Sequence, residues 1–130
     1  MIHIVVSGLC ANEICRLASE LGRERVAVRE TIDIAGATEV AQGRADYYFG
    51  ACATGAGGAL AMAIAILGYE RCFTASMVGC PPKEAEIQAA VARGKRAFGF
   101  TVDHIDSTVH LLLAAILAHH QEPGNIEQGL

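Results

Sequence analysis

The sequence contains no tryptophan, and aromatic residues make up only 5% of its 130 positions. A core can still form, because 52% of the residues are hydrophobic. It must rest on close packing of Ala, Val, Ile and Leu rather than on large rings. Blocks of Lys and Arg are also missing. Ten basic residues are scattered among fourteen acidic ones, giving a formal net charge of −4. That excludes the phosphate-neutralising footprint of a nucleic-acid binder, and no nucleic-acid partner is expected. Long apolar runs are absent: the longest, residues 59–67 and 111–118, fall well short of the ~20 residues that span a bilayer. No basic, extended apolar leader opens the chain. A cytoplasmic location without membrane insertion is the expectation. Five cysteines form an odd, irregularly spaced set with no C-x-x-C pair, so neither a disulfide framework nor a zinc site is expected. This holds although Cys10, Cys52, Cys80 and His104 all fall in loops on one expected side. No metal or cofactor is anticipated.

What is present is an alternation of two periodicities. Short β-branched or aromatic runs at residues 2–6, 26–32, 46–51, 71–76 and 97–101 read as strands. Between and after them, residues 11–21, 37–42, 58–67, 83–93 and 102–120 carry apolar positions at helical spacing. Ile14, Leu17, Ala18 and Leu21 mark the first helix, and Gly22 stops it. Strands alternating with helices require parallel pairing through right-handed crossovers. The expected fold is α/β: one three-layer, doubly wound domain over residues 1–120, with a five-stranded parallel sheet in Rossmann- or flavodoxin-like order 2-1-3-4-5. The polar tail 121–130 is expected to be flexible. Residues 59–67 are apolar all round, which implies burial against the sheet and against another subunit. With the apolar face of residues 109–118, this points to a homo-oligomer.

In such sheets ligands bind beyond the carboxyl ends of the strands, where strand order reverses. The rule selects the loops at residues 7–10, 31–33, 52–58, 76–82 and 101–104. Richest among them is Cys52-Ala53-Thr54-Gly55-Ala56-Gly57-Gly58. Gly55, Gly57 and Gly58 let the backbone approach a ligand closely, or allow tight helix–strand packing. The amides at the start of the following helix favour a phosphate, a carboxylate or a developing oxyanion. No Gly-Lys-Ser/Thr follows, so this is not a Walker loop, and its place after the third strand is wrong for a dinucleotide fingerprint. Cys52 fits either a base near a helix N-terminus or a small buried hydrophobe. Thr54 suits a ligand hydroxyl or a helix cap. Ser7, Gly8, Cys10 and Ser76 stand in the other selected loops. Asp33 fits a hydroxyl-binding carboxylate or a turn. Asp103 and His104 fit an acid–base pair, or a cap beside a surface histidine.

Two resemblances attach to this loop. The segment from Asp46 through Gly57, followed by Ala59-Leu60 and Gly68-Tyr69, resembles the YhfU-like family of bacterial proteins, a domain of unknown function. The pattern Cys52-x-Thr54-Gly55-x-Gly57 is similar to the signature of type B ribose-5-phosphate isomerases and the related galactose-6-phosphate isomerases. That second resemblance implies Cys52 as the base moving a proton between adjacent carbons, Thr54 as an aid to ring opening, and Gly55 and Gly57 as oxyanion donors. The sequence departs from that family after the first strand, where Ser7-Gly8-Leu9-Cys10 replaces an Asp-His pair. It departs again after the fourth, where residues 76–82 lack the expected histidine and basic residues. The combined expectation is a small-molecule binder for a phosphate- or carboxylate-bearing metabolite, sugar phosphates included. The alternatives are a sugar-phosphate isomerase with Cys52 as base, and a structural subunit of an oligomer.

Overall fold

Along β1 (Ile2–Gly8) the side chains divide by parity between two apolar clusters. Ile2, Ile4 and Val6 enter the larger cluster and Val5 the smaller, as a strand buried on both faces requires. The same division runs through β3 (Tyr47–Cys52) and β5 (Ala97–Thr101). Tyr47, Phe49, Phe98 and Phe100 face the larger cluster, and Tyr48 and Ala97 the smaller. The computed structural model describes residues 1–53 and 58–120. Its remaining strands are β2 (Val26–Glu30) and β4 (Cys72–Thr74), and its helices are α1 (Ala11–Gly22), α2 (Asp33–Ala41), α3 (Gly58–Leu67), α4 (Glu84–Ala92) and α5 (Ile105–His119). Helices α1, α4 and α5 cover the larger cluster through Ile14, Ile87, Leu112 and Ile116. Helices α2 and α3 cover the smaller through Ala37, Val40, Leu60 and Ala63. The tail expected to be flexible, residues 121–130, lies outside the described residues.

All five strands are parallel, as expected, but their order is β2-β1-β3-β5-β4 rather than 2-1-3-4-5. The physical reason lies in the last two strands. Every residue of β5 is buried, whereas β4 has three residues and an exposed Thr74. A strand buried on both faces belongs inside a parallel sheet, and a short one with polar exposure suits an edge. Two helix starts also differ. Helix α2 begins at Asp33, four residues earlier than expected, with a carboxylate in its positive first turn. A 3₁₀ turn, Val102–His104, precedes α5.

The apolar stripe of α5 is consumed within the chain, where Val109, Leu112, Leu113 and Ile116 are buried. It therefore needs no second subunit to cover it. Helix α3 differs, leaving Ala61, Ala65 and Ile66 exposed. Among the described residues no helix is long and apolar enough to cross a membrane.

Burial also sets an alkaline limit on stability. Cys15, packed from α1 against the larger cluster, has its thiol pushed from an ordinary 9.0 up to about 11, first by burial and second by the charge of Glu30. The folded state thus favours the protonated thiol. Its contribution is complete below about pH 9 and is lost as pH rises through about 11. Urea-unfolding midpoints should fall across that interval, and Cys15→Ala should flatten the fall. An unchanged profile in the variant would assign the loss to other buried groups, such as Cys72 or Tyr47, which burial also raises.

Candidate functional site

After β1 the chain turns into α1 on one face of the sheet, and after β3 into α3 on the other. Backbones leaving adjacent strands in opposite directions open a crevice at the carboxyl edge. Gly8 holds the two strands together at this point. Its φ is +93°, and a Cβ there would sit 2.2 Å from the Ala51 carbonyl oxygen. The next amide, Leu9 N–H, donates to that same oxygen at 3.0 Å.

On the face covered by α2 and α3, Ser7 lies one pleat beyond Val5, and Cys52 two pleats beyond Tyr48. The Ser7 hydroxyl donates to Asp33 Oδ1 at 2.5 Å, and its oxygen lies 2.5 Å from Tyr48 Oη. Tyr48 Oη also reaches the same carboxylate oxygen at 3.4 Å. With Ser7 giving its single proton to Asp33, Tyr48 is the donor to Ser7. Burial pushes the Tyr48 phenol far above its ordinary range; the Ser7 bond opposes this and the Asp33 charge adds to it. Tyr48 therefore remains a neutral donor. Ser7 and Tyr48 are fully buried, while Asp33 is half-buried. One carboxylate oxygen is thus anchored from below. Asp33 also lines a cavity of about 570 Å³, together with Gly8, Glu30, Thr31, Ile34 and Met62. No described lining residue is a cation. This wall accepts hydrogen bonds from hydroxyls and repels anions.

Across β3 the register pairs Cys52 with Thr101 of β5. Cys52 is half-buried and Thr101 fully buried. The Thr101 amide donates to Ser76 Oγ at 3.3 Å, and the Thr108 hydroxyl donates to the same oxygen at 3.2 Å. Just beyond, Asp103 Oδ2 lies 3.2 Å from His104 Nε2. The Asp103 carboxyl is held below its usual range, first by the Thr101 hydroxyl and then by His104 and the Gly79 amide. Thr101 Oγ1 and His104 Nε2 are both buried atoms, and both stand beside this one carboxylate.

The residues matched decide the family. The chain belongs to the family described as protein of unknown function DUF2620, matching it over residues 2–116. The uncharacterized protein YhfU of Escherichia coli (strain K12) is 42% identical over 81 residues, 62% of this chain and 69% of that protein. YhfU of Shigella flexneri matches to the same extent. Among solved structures, ribose-5-phosphate isomerase B from Giardia lamblia has a TM-score of 0.69 at 18% identity. The match covers 91% of this chain and 94% of that one. It shows a common fold, the one that the Cys52-x-Thr54-Gly55-x-Gly57 resemblance implied.

Within this DUF2620 chain the expected site residues separate into groups. Ser7 and Asp33 are bonded to each other, and Asp33 shares a cavity with Gly8. Asp103 and His104 are in contact. Ser76 is buried, with its hydroxyl oxygen engaged inside the protein. Cys10 is exposed at the start of α1, with φ of +58°. Gly58 opens α3. Thr54, Gly55 and Gly57 lie outside the described residues. Among the described residues no cluster of three His, Cys, Asp or Glu side chains could hold a metal. Sequence reasoning missed Tyr48. Its signal was parity: Tyr48 is four residues before Cys52 on one strand, so both project to one face.

Proposed function

We propose that this protein binds a small polyhydroxylated metabolite carrying a phosphate or carboxylate, of the sugar-phosphate class, at the crevice between β1 and β3. The carrying observation is the Ser7–Asp33–Tyr48 network, which fixes a carboxylate against a cavity at the reversal of strand order. Asp33 takes ligand hydroxyls on its remaining lone pairs. Since the described wall carries Glu30 and Asp33 and no cation, the anionic end belongs away from it, at the amides that open α3. The name of the Giardia protein, a ribose-5-phosphate isomerase, supports the ligand class.

Thermal unfolding with ribose 5-phosphate, ribose and inorganic phosphate tests the reading. Ribose 5-phosphate is expected to raise the melting temperature most, by about 2.7 kcal/mol of stabilisation at a hundred times its Kd. Asp33→Asn keeps an acceptor for Ser7 but removes the charge, and should weaken that ligand about tenfold. Absence of a shift with any phosphorylated sugar or carboxylate would remove the proposal.

A second reading is isomerisation with Cys52 as base, favoured by the half-buried thiol at the end of β3 before α3. The thiolate takes a proton from the hydroxyl-bearing carbon beside the carbonyl, the hydroxyl proton passes to the former carbonyl oxygen while backbone amides hold the enediolate, and the thiol returns the first proton to the former carbonyl carbon. The exposed Ala61, Ala65 and Ile66 of α3 support self-association through that helix, whichever reading of the crevice holds.

A further inference from the structure

Two isoleucines stand exposed on the rim of the Asp33 cavity. Ile32 is 71% exposed and Ile34 is 55% exposed, and both line the cavity together with the half-buried Met62 of α3. Ile32 also fills the N-cap position of α2, in extended backbone. Serine, threonine, asparagine and aspartate stabilise that position by accepting an amide of the first turn, and isoleucine is among the poorest residues there. Burial does not explain the two side chains, and helix formation argues against the first. Folding gives no reason for an apolar residue on either side of Asp33.

The cavity supplies one. Its charged wall only accepts hydrogen bonds: Glu30, and Asp33 with Oδ1 anchored by Ser7 and Tyr48. A ligand here presents hydroxyl or N–H groups to the carboxylates and an apolar surface to Ile32, Ile34 and Met62. A two-fold contact between copies centred here would set Glu30 and Asp33 against their own equivalents, like charge on like, with no cation on the described wall. A heteroaromatic base avoids that repulsion, because its faces are apolar and its edge carries N–H donors. The volume of about 570 Å³ lies within the ~300–1,000 Å³ of small-molecule sites. We infer that the ligand is a nucleoside phosphate, with its ribose hydroxyls on Asp33 and its base against Ile32 and Ile34. This rests on the sugar-phosphate reading of the crevice and names what the sugar carries. Base and 5′-phosphate leave opposite sides of a ribose ring, so a base held by the isoleucines directs the phosphate away from the carboxylates, as that reading requires.

The test is calorimetric titration of wild type, Ile32→Ser and Ile32→Leu with adenosine 5′-monophosphate, uridine 5′-monophosphate and ribose 5-phosphate. At least one nucleotide should bind wild type about tenfold tighter than ribose 5-phosphate, because its base buries apolar area that the bare sugar phosphate lacks. Ile32→Ser should narrow that margin to about threefold and leave ribose 5-phosphate almost unchanged. Without ligand it should melt roughly 2–5 °C higher than wild type, since serine caps α2. Ile32→Leu keeps the apolar area and should keep the margin. Nucleotides that bind no tighter than ribose 5-phosphate overturn the inference and leave the sugar-phosphate reading standing. A margin unchanged in Ile32→Ser also overturns it, and a fall in mass by light scattering in that variant would assign Ile32 to a contact between copies instead. If wild type binds neither the nucleotides nor ribose 5-phosphate, the inference falls together with the reading beneath it.

Discussion

Gly8→Ala is expected to lower the melting temperature by roughly 15 °C, corresponding to about 4 kcal/mol. Two penalties coincide at this position. The backbone has φ of +93°, and the added carbon would meet the Ala51 carbonyl oxygen at 2.2 Å. That oxygen is backbone at the last pair of the β1–β3 ladder and accepts the Leu9 amide, so it cannot move without separating the carboxyl ends of β1 and β3. A loss of this size is a large part of the ~5–15 kcal/mol that holds a typical domain folded. Gly43→Ala separates the two penalties. Gly43 has φ of +78°, and a methyl group there would meet nothing within 4 Å, so it should lose only about 1 kcal/mol. Equal losses in the two variants, read by urea denaturation, would mean that conformation matters and the β1–β3 approach does not.

On the isomerase reading, Cys52→Ala is expected to reduce interconversion of ribose 5-phosphate and its ketose isomer by about 10³-fold, the range that a positioned base contributes. Affinity should change less than about threefold, since deleting one sulfur leaves the proposed contacts at Asp33 in place. Single-turnover isomerisation and calorimetric titration of the same preparations separate the two quantities. Turnover retained in the alanine variant would place the base elsewhere. A wild type that binds the sugar phosphate without turnover would leave a binding protein, in which Cys52→Ala changes little. Cys52→Ser is informative because a hydroxyl fills the same space but gives up its proton far less readily than a thiol. It should be as inactive as the alanine variant if the group acts as a base.

Much of the architecture was legible from short stretches of chain. The apolar run at residues 2–6 and the alternating run from Val26 marked strands, and Ile14, Leu17, Ala18 and Leu21 marked α1. Those patterns depend on neighbours within a turn or a pleat. The carboxyl-edge rule also led to Ser7, Asp33 and Cys52 before any contact was known. Tyr48 was legible only as a strand residue, because its bond to Ser7 joins positions 41 apart, and the Ser7–Asp33 bond joins positions 26 apart. No local pattern reports such a meeting.

The linear chain was enough to specify element types, parallel pairing and family, because backbone hydrogen bonding and hydrophobic period act over a few residues. Which strand sits beside which was settled in three dimensions. The fully buried β5 took the interior place between β3 and β4, the outcome of a competition among all five strands for cover on both faces. That exchange brought Thr101 alongside Cys52, and a site assembled across a sheet takes its membership from such global packing.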